Sequence, residues 1–194
     1  MKTKVTLIII ILIVMSSSAW AEMGISFNPA SQSGFAWGAL VFNGTLTNNG
    51  EDTLFINGLD IVGLEPGISL DSDPFFQNAP ESLEPGQSWT GDMVEAMIDP
   101  AALPGNHICS VMIVGGTDEG ASEVLAIQNF MVQVLPDYDA DNDVDRDDMN
   151  IILTYKSQPA SAAPQCDLDR DGTITVLDAR ILVTMCSRPA CACQ

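Results

Sequence analysis

Between Glu22 and Leu135 the chain contains no lysine and no arginine. A nucleic-acid surface needs cations to neutralise phosphates, so this stretch is not one. Docking on an anionic membrane is disfavoured for the same reason. The whole chain has a single histidine, His107, so a zinc site built on paired imidazoles is absent. A Gly-x-Ser-x-Gly elbow and a phosphate loop are absent as well. After Met15 no apolar run is long enough to span a bilayer. Helical periodicity of useful length is missing from Gly24 to Leu135. With the catalytic motifs missing, the expectation is a protein that is not an enzyme.

Carboxylates dominate what is present. There are 26 Asp and Glu against seven Lys and Arg, a formal net charge of −19. Lys2 and Lys4 precede an apolar core from Val5 to Met15, and Ala19-Trp20-Ala21 supplies the small residues of a cleavage site. Residues 1–21 therefore read as an export signal, and no membrane span is expected once it is removed. A secreted or cell-surface location follows, and acidity there serves solubility. The remaining bases, Arg146, Lys156, Arg170, Arg180 and Arg188, all follow Pro136. Of five cysteines, Cys109 lies in an apolar strand pattern and reads as a buried thiol. Cys166, Cys186, Cys191 and Cys193 surround the last acidic stretch, where an exported protein forms disulfides. A bridge from Cys166 to Cys186 or to Cys191 would clamp that region, and spacing alone does not choose between pairings.

Residues 22–135 read as β structure. Short apolar runs at 24–27, 36–47, 53–62, 88–98, 107–114 and 124–135 are separated by Gly, Pro, Asn and Asp, as in an antiparallel β-sandwich. Asn48-Asn49-Gly50 and Glu84-Pro85-Gly86 are turn signals. Trp37 and Trp89 fall in strand patterns and are expected in the core. Phe75 and Phe76 follow Asp73-Pro74 in a loop, with at least one ring expected at the surface.

Residues 136–194 carry two acidic twelve-residue stretches whose first residues are thirty apart, Asp137 and Asp167. The second has Asp167, Asp169 and Asp171 at positions 1, 3 and 5, Gly172 at 6 and Asp178 at 12. Its position 7 is Thr173, which has a backbone carbonyl to offer. Ca²⁺ takes about six to eight oxygens at roughly 2.3–2.6 Å, and such a loop supplies them. The first stretch begins at Asp137, because Asn142 then takes the turn position, where Asn tolerates positive φ better than Val144 would. Its candidate ligands are Asp137, Asp139, Asp141, Asp143, Asp145 and Asp148. Val144 and Ile174 both stand at the apolar position 8. Apolar helical patterns follow each loop: Met149, Ile151, Ile152 and Tyr155, then Ala179, Ile181, Leu182, Val183 and Met185.

Two loop-helix units with Asp at position 12, and no helix before the first loop, resemble the dockerin type I family over about residues 136–188. The resemblance implies two Ca²⁺ ions and an extracellular protein partner of cohesin type. It places partner contacts at loop positions 10 and 11, here Arg146 and Asp147, then Val176 and Leu177. The Thr45–Gly50 strand end, the stretch from Leu83 to Gly91 and Pro104-Gly105 resemble immunoglobulin-like modules of bacterial exported proteins. The expected fold is thus mainly β, an immunoglobulin-like sandwich followed by a small helical dockerin-like module. The expected role is calcium-dependent association outside the cell. The alternative is a carbohydrate-binding sandwich, with a polysaccharide as partner and calcium only stabilising.

Overall fold

A computed structural model of the chain describes residues 22–193; the expected export signal lies outside them. Nine strands form two sheets. They are β1 (Met23–Phe27), β2 (Ser31–Gly34), β3 (Ala39–Asn48), β4 (Leu54–Gly63), β5 (Ile68–Asp71), β6 (Ser82–Leu83), β7 (Ser88–Ile98), β8 (Gly105–Gly116) and β9 (Glu123–Val134). One sheet runs β1-β3-β7-β5 and the other β2-β9-β8-β4-β6. The protein is mainly β, with two sheets consistent with a sandwich.

Alternation builds the core between them. Along β3, Phe42, Gly44, Leu46 and Asn48 are buried while their neighbours are less so, the period of two that one buried sheet face demands. Phe42 from one sheet meets Phe130 from the other with ring centroids 4.4 Å apart. Phe27 joins them at 5.0 Å from Phe130. This aromatic group pins the sheets together near their middle. Cys109 is fully buried on β8, and burial pushes its thiol pKa up.

Several expectations need correction. The sandwich is not wholly antiparallel: β2 pairs with β9 in parallel. β2 is Ser-Gln-Ser-Gly, whose polar edge gives no apolar signal. Trp37 is not core; it is 81 % exposed. Its backbone is at φ +66, where the Phe35–Gly38 turn throws the ring outward before β3 begins. Trp89 does pack against the core. Phe75 and Phe76 lie on a short helix, α1 (Asp73–Asn78), rather than in a loop. Phe75 is buried edge-on to Trp89, whereas Phe76 is 58 % exposed. The Asn48–Gly50 turn joins strands of different sheets, so it closes no hairpin; the Asn48 amide donates to Asp52 O and Leu83 O, both at 2.8 Å. Among the described residues no helix is long and apolar enough to cross a membrane.

Two variants measure these placements. Phe42→Ala should lose about 3–5 kcal/mol of stability in urea unfolding, from lost burial and the cavity left behind. Trp37→Gly should stay within about 0.5 kcal/mol of the parent, since an exposed ring and a strained φ leave together.

Candidate metal centre

Each acidic stretch closes on a buried carboxylate. Asp178 is fully buried, and its Oδ1 accepts the N–H of Leu168 at 2.7 Å and of Asp169 at 3.2 Å. Its Oδ2 accepts the Thr175 N–H at 2.7 Å. One side chain thus ties the loop's beginning to the first turn of the helix that follows, α3 (Val176–Val183). Asp148 repeats the arrangement. Its Oδ1 accepts from Tyr138 and Asp139, and its Oδ2 from the Asp145 N–H at 2.8 Å, at the start of α2 (Arg146–Thr154). Both helices begin with a capping box, Asp145 with Asp148 and Thr175 with Asp178.

Much of the rest of the two loops matches at an offset of thirty; position 5 differs, with Asp141 N–H donating to Asp137 Oδ1 but Asp171 N–H to Asp169 Oδ1. Asn142 N–H donates to Asp137 Oδ2 at 3.0 Å, and Gly172 N–H to Asp167 Oδ2 at 3.0 Å. Asp143 N–H donates to Asp141 Oδ1, and Thr173 N–H to Asp171 Oδ1. Positive φ occurs at the same two positions in each: Ala140 and Asn142 at +62 and +67, Arg170 and Gly172 at +60 and +92. The register begun at Asp137, with Asn142 at the turn, is the one the backbone adopts.

The units also brace each other. Ser157 N–H donates to Ile174 O, and Ser187 N–H to Val144 O. Each segment after one helix thereby holds position 8 of the other loop. Val144 and Ile174 are completely buried there, in a second core with Ile152, Ala179 and Leu182. Phe35 and Leu135 of the preceding chain pack on this core, so the helical unit sits against the sandwich.

The acidic side chains gather in groups of three whose oxygens lie within 4.8 Å of one another: Asp137, Asp139 and Asp141; Asp143, Asp145 and Asp148; Asp167, Asp169 and Asp178. The candidate ligand Asp171 belongs to none of them. Asp171 holds the loop backbone instead. Crowding has an electrostatic signature. Desolvation, then Asp141 and other carboxylates, raise the Asp139 pKa. Desolvation raises Asp148 against the pull of its backbone donors. At Asp169 the Asp171 N–H pulls the pKa down, but desolvation and three neighbouring carboxylates outweigh it. Asp167 Oδ1 is buried without a hydrogen-bond partner. An orphaned carboxylate oxygen beside two more acids is a donor set that suits a hard cation. The residues fit calcium in kind; the ion would neutralise charges that now repel.

Sequence reasoning missed the C-terminal clasp. Arg188 pairs with Asp143 at 2.9 Å. The disulfide joins Cys186 to Cys191, five residues apart, while Cys166 stays a free, buried thiol. The expected bridge to Cys166 is thus corrected: that side chain fills the helical core, and the tail closes on itself. Cys193 lies with Asp145 and Asp147 in a further group of three. Nothing in the spacing signals this, because the Ser187–Val144 pairing brings the tail there. His107 is buried, and its Nε2–H donates to Leu103 O at 2.7 Å.

No family model matches the chain. A 76-residue stretch is 33 % identical to the long isoform of an ulvan lyase from Glaciecola sp., covering 39 % of this chain and 7 % of that protein. The chain thus spans less than a tenth of the curated relative it matches. Similar solved structures include the secreted serine protease VesC from Vibrio cholerae, at 14 % identity and TM-score 0.41, covering 69 % of this chain and 26 % of that one. A family 123 glycoside hydrolase from Clostridium perfringens matches at 13 % identity and TM-score 0.31, covering 58 % and 27 %. The stretch shared with a lyase overturns the expectation that the protein is not an enzyme. Missing catalytic motifs describe only the stretch that lacks them.

Loop geometry predicts a contrast. A Cβ at Gly172 meets nothing within 4 Å, yet φ is +92. Gly172→Ala should therefore cost about 1–2 kcal/mol through backbone strain alone, while Asn142→Gly should change stability by less than about 0.5 kcal/mol. Thermal unfolding of both variants checks this.

Proposed function

We propose that residues 136–194 form a dockerin-like module that binds two Ca²⁺ ions and mediates protein association outside the cell. The observation that carries this reading is the repeat, thirty residues apart, of two acidic loops with left-handed backbone at the same two positions, each closed by a buried Asp at position 12. The first ion would be held from Asp137, Asp139, Asp141 and Asp148, with Asp143 and Asp145 beside them. The second would be held from Asp167, Asp169 and Asp178, with Asp171 and Thr173 turning inward to complete the shell. The ion supplies positive charge; the chain's own residues supply the shape, through the Asp148 and Asp178 anchors and the mutual bracing of the loops.

An exposed apolar set on the helices gives a partner something to hold. Leu153, Val176, Leu177 and Val183 are all more than a third exposed. Val176 and Leu177 stand where the resemblance places partner contacts, and the corresponding Arg146 and Asp147 are polar. The two units therefore offer different chemistry, which favours one docking orientation. A cohesin-like protein at a cell surface, or on a secreted assembly, is the partner that fits.

Calorimetric titration should register two calcium sites, with Asp167→Ala removing one of them. Saturation should raise the melting temperature; a hundredfold excess over the dissociation constant stabilises by about 2.7 kcal/mol per site. No heat at millimolar calcium, and identical melts in calcium and chelator, would sink the proposal.

A further inference from the structure

Where the helical module meets the sandwich there is a cavity of about 420 Å³, within the size range of small-ligand sites. Glu65, Asp99, Leu103 and His107 of the sandwich line it, and Arg170 of the second loop completes it. We propose that this junction binds an acidic sugar, a uronic acid unit of a saccharide, and that it does so only when the second loop is ordered.

The chemistry follows from each group. The sandwich has no lysine or arginine, so alone it cannot attract a carboxylate. Arg170 is the one cation lining the cavity, and it forms no ion pair among the described residues. Its planar fork matches a carboxylate in two parallel hydrogen bonds. Glu65 and Asp99 are acceptors, suited to hydroxyl hydrogens and hostile to a bare anion such as phosphate. A ligand with one carboxylate and several hydroxyls satisfies both sides. His107 is 4 % exposed, its Nε2–H is spent on Leu103 O, and its buried Nδ1 has no partner. An unsatisfied buried acceptor is costly, and a ligand hydroxyl relieves it.

The calcium dependence rests on the reading above. Arg170 is position 4 of the second loop, at φ +60, between the candidate ligands Asp169 and Asp171. An ion that fixes the loop fixes the guanidinium's origin, so ordering precedes binding.

The test uses the full chain and saturation-transfer NMR with a glucuronic acid trisaccharide, against a glucose trisaccharide and inorganic phosphate. The acidic trisaccharide should bind, and the glucose trisaccharide at least about tenfold more weakly. Phosphate should not compete. Arg170→Ala should weaken binding about tenfold, the loss of one strong contact, while melting like the parent and keeping the calcium titration. Equal binding of both trisaccharides, or an unchanged Arg170→Ala, would overturn the site. Binding that survives chelation undiminished would overturn its calcium dependence. A parent chain that takes up no calcium would defeat the reading of the loops, and the saccharide comparison would still decide the pocket.

Discussion

The helical module depends on one interaction made twice: a buried aspartate whose two oxygens join the beginning of a loop to the beginning of a helix. Burying a carboxylate is expensive unless hydrogen bonds replace its water. Asp148 and Asp178 each recover that cost from backbone N–H groups that would otherwise be orphans of a loop start and a helix start. The same bonds hold the two ends of each loop together, and the acidic turn between those ends is where a cation would add order.

Around these anchors the two units are alike in backbone and unlike in support. Both place a β-branched residue at position 8 in a dry core, and both receive a brace from the segment after the other unit's helix. The first loop lacks a turn glycine and has extra support. Ser187 accepts the Val144 N–H, Arg188 holds Asp143, and the Cys186–Cys191 bond closes the tail that carries both residues. The second loop has Gly172 and is braced by backbone instead, with Ile174 N–H donating to Gln158 O and Ala160 N–H to Gly172 O.

The parts of this architecture legible in the sequence are those set by short-range stereochemistry. The register of the first loop followed from asking which residue tolerates positive φ, and the backbone adopts it. The β7 strand matched residue for residue, because Ser88–Ile98 is bounded by clear turn chemistry. What escaped was set by tertiary context. β2 is polar and pairs in parallel at a sheet edge, so no periodicity marks it. Trp37 sits in an apolar run, and only the turn before β3 decides that it points outward. The cysteine pairing depends on where the tail folds back, which no spacing encodes. Arg170 was legible as a loop position but not as a wall of the junction cavity, since that needs the module docked.

Charge would make the junction sensitive to any cation held in the loops. Residues 22–135 carry fifteen acids and no base, a charge of −15; residues 136–194 carry eleven acids and five bases, 11 − 5, a charge of −6. Two bodies of like charge are pressed together through Phe35, Leu135 and the apolar core behind them. Apolar contact changes little with dilute simple salt, whereas the repulsion it opposes is screened within about 10 Å at 0.1 M. Two divalent cations would take the module from −6 to −2 and remove most of that repulsion at its source. They would do so at loops that also place Arg170 against the acidic sandwich, with Nη2 only 3.6 Å from where a Cβ on Gly105 would stand. On that proposal, order in the loops, cohesion between the modules and the positive charge of Arg170 would be coupled through the same few carboxylates.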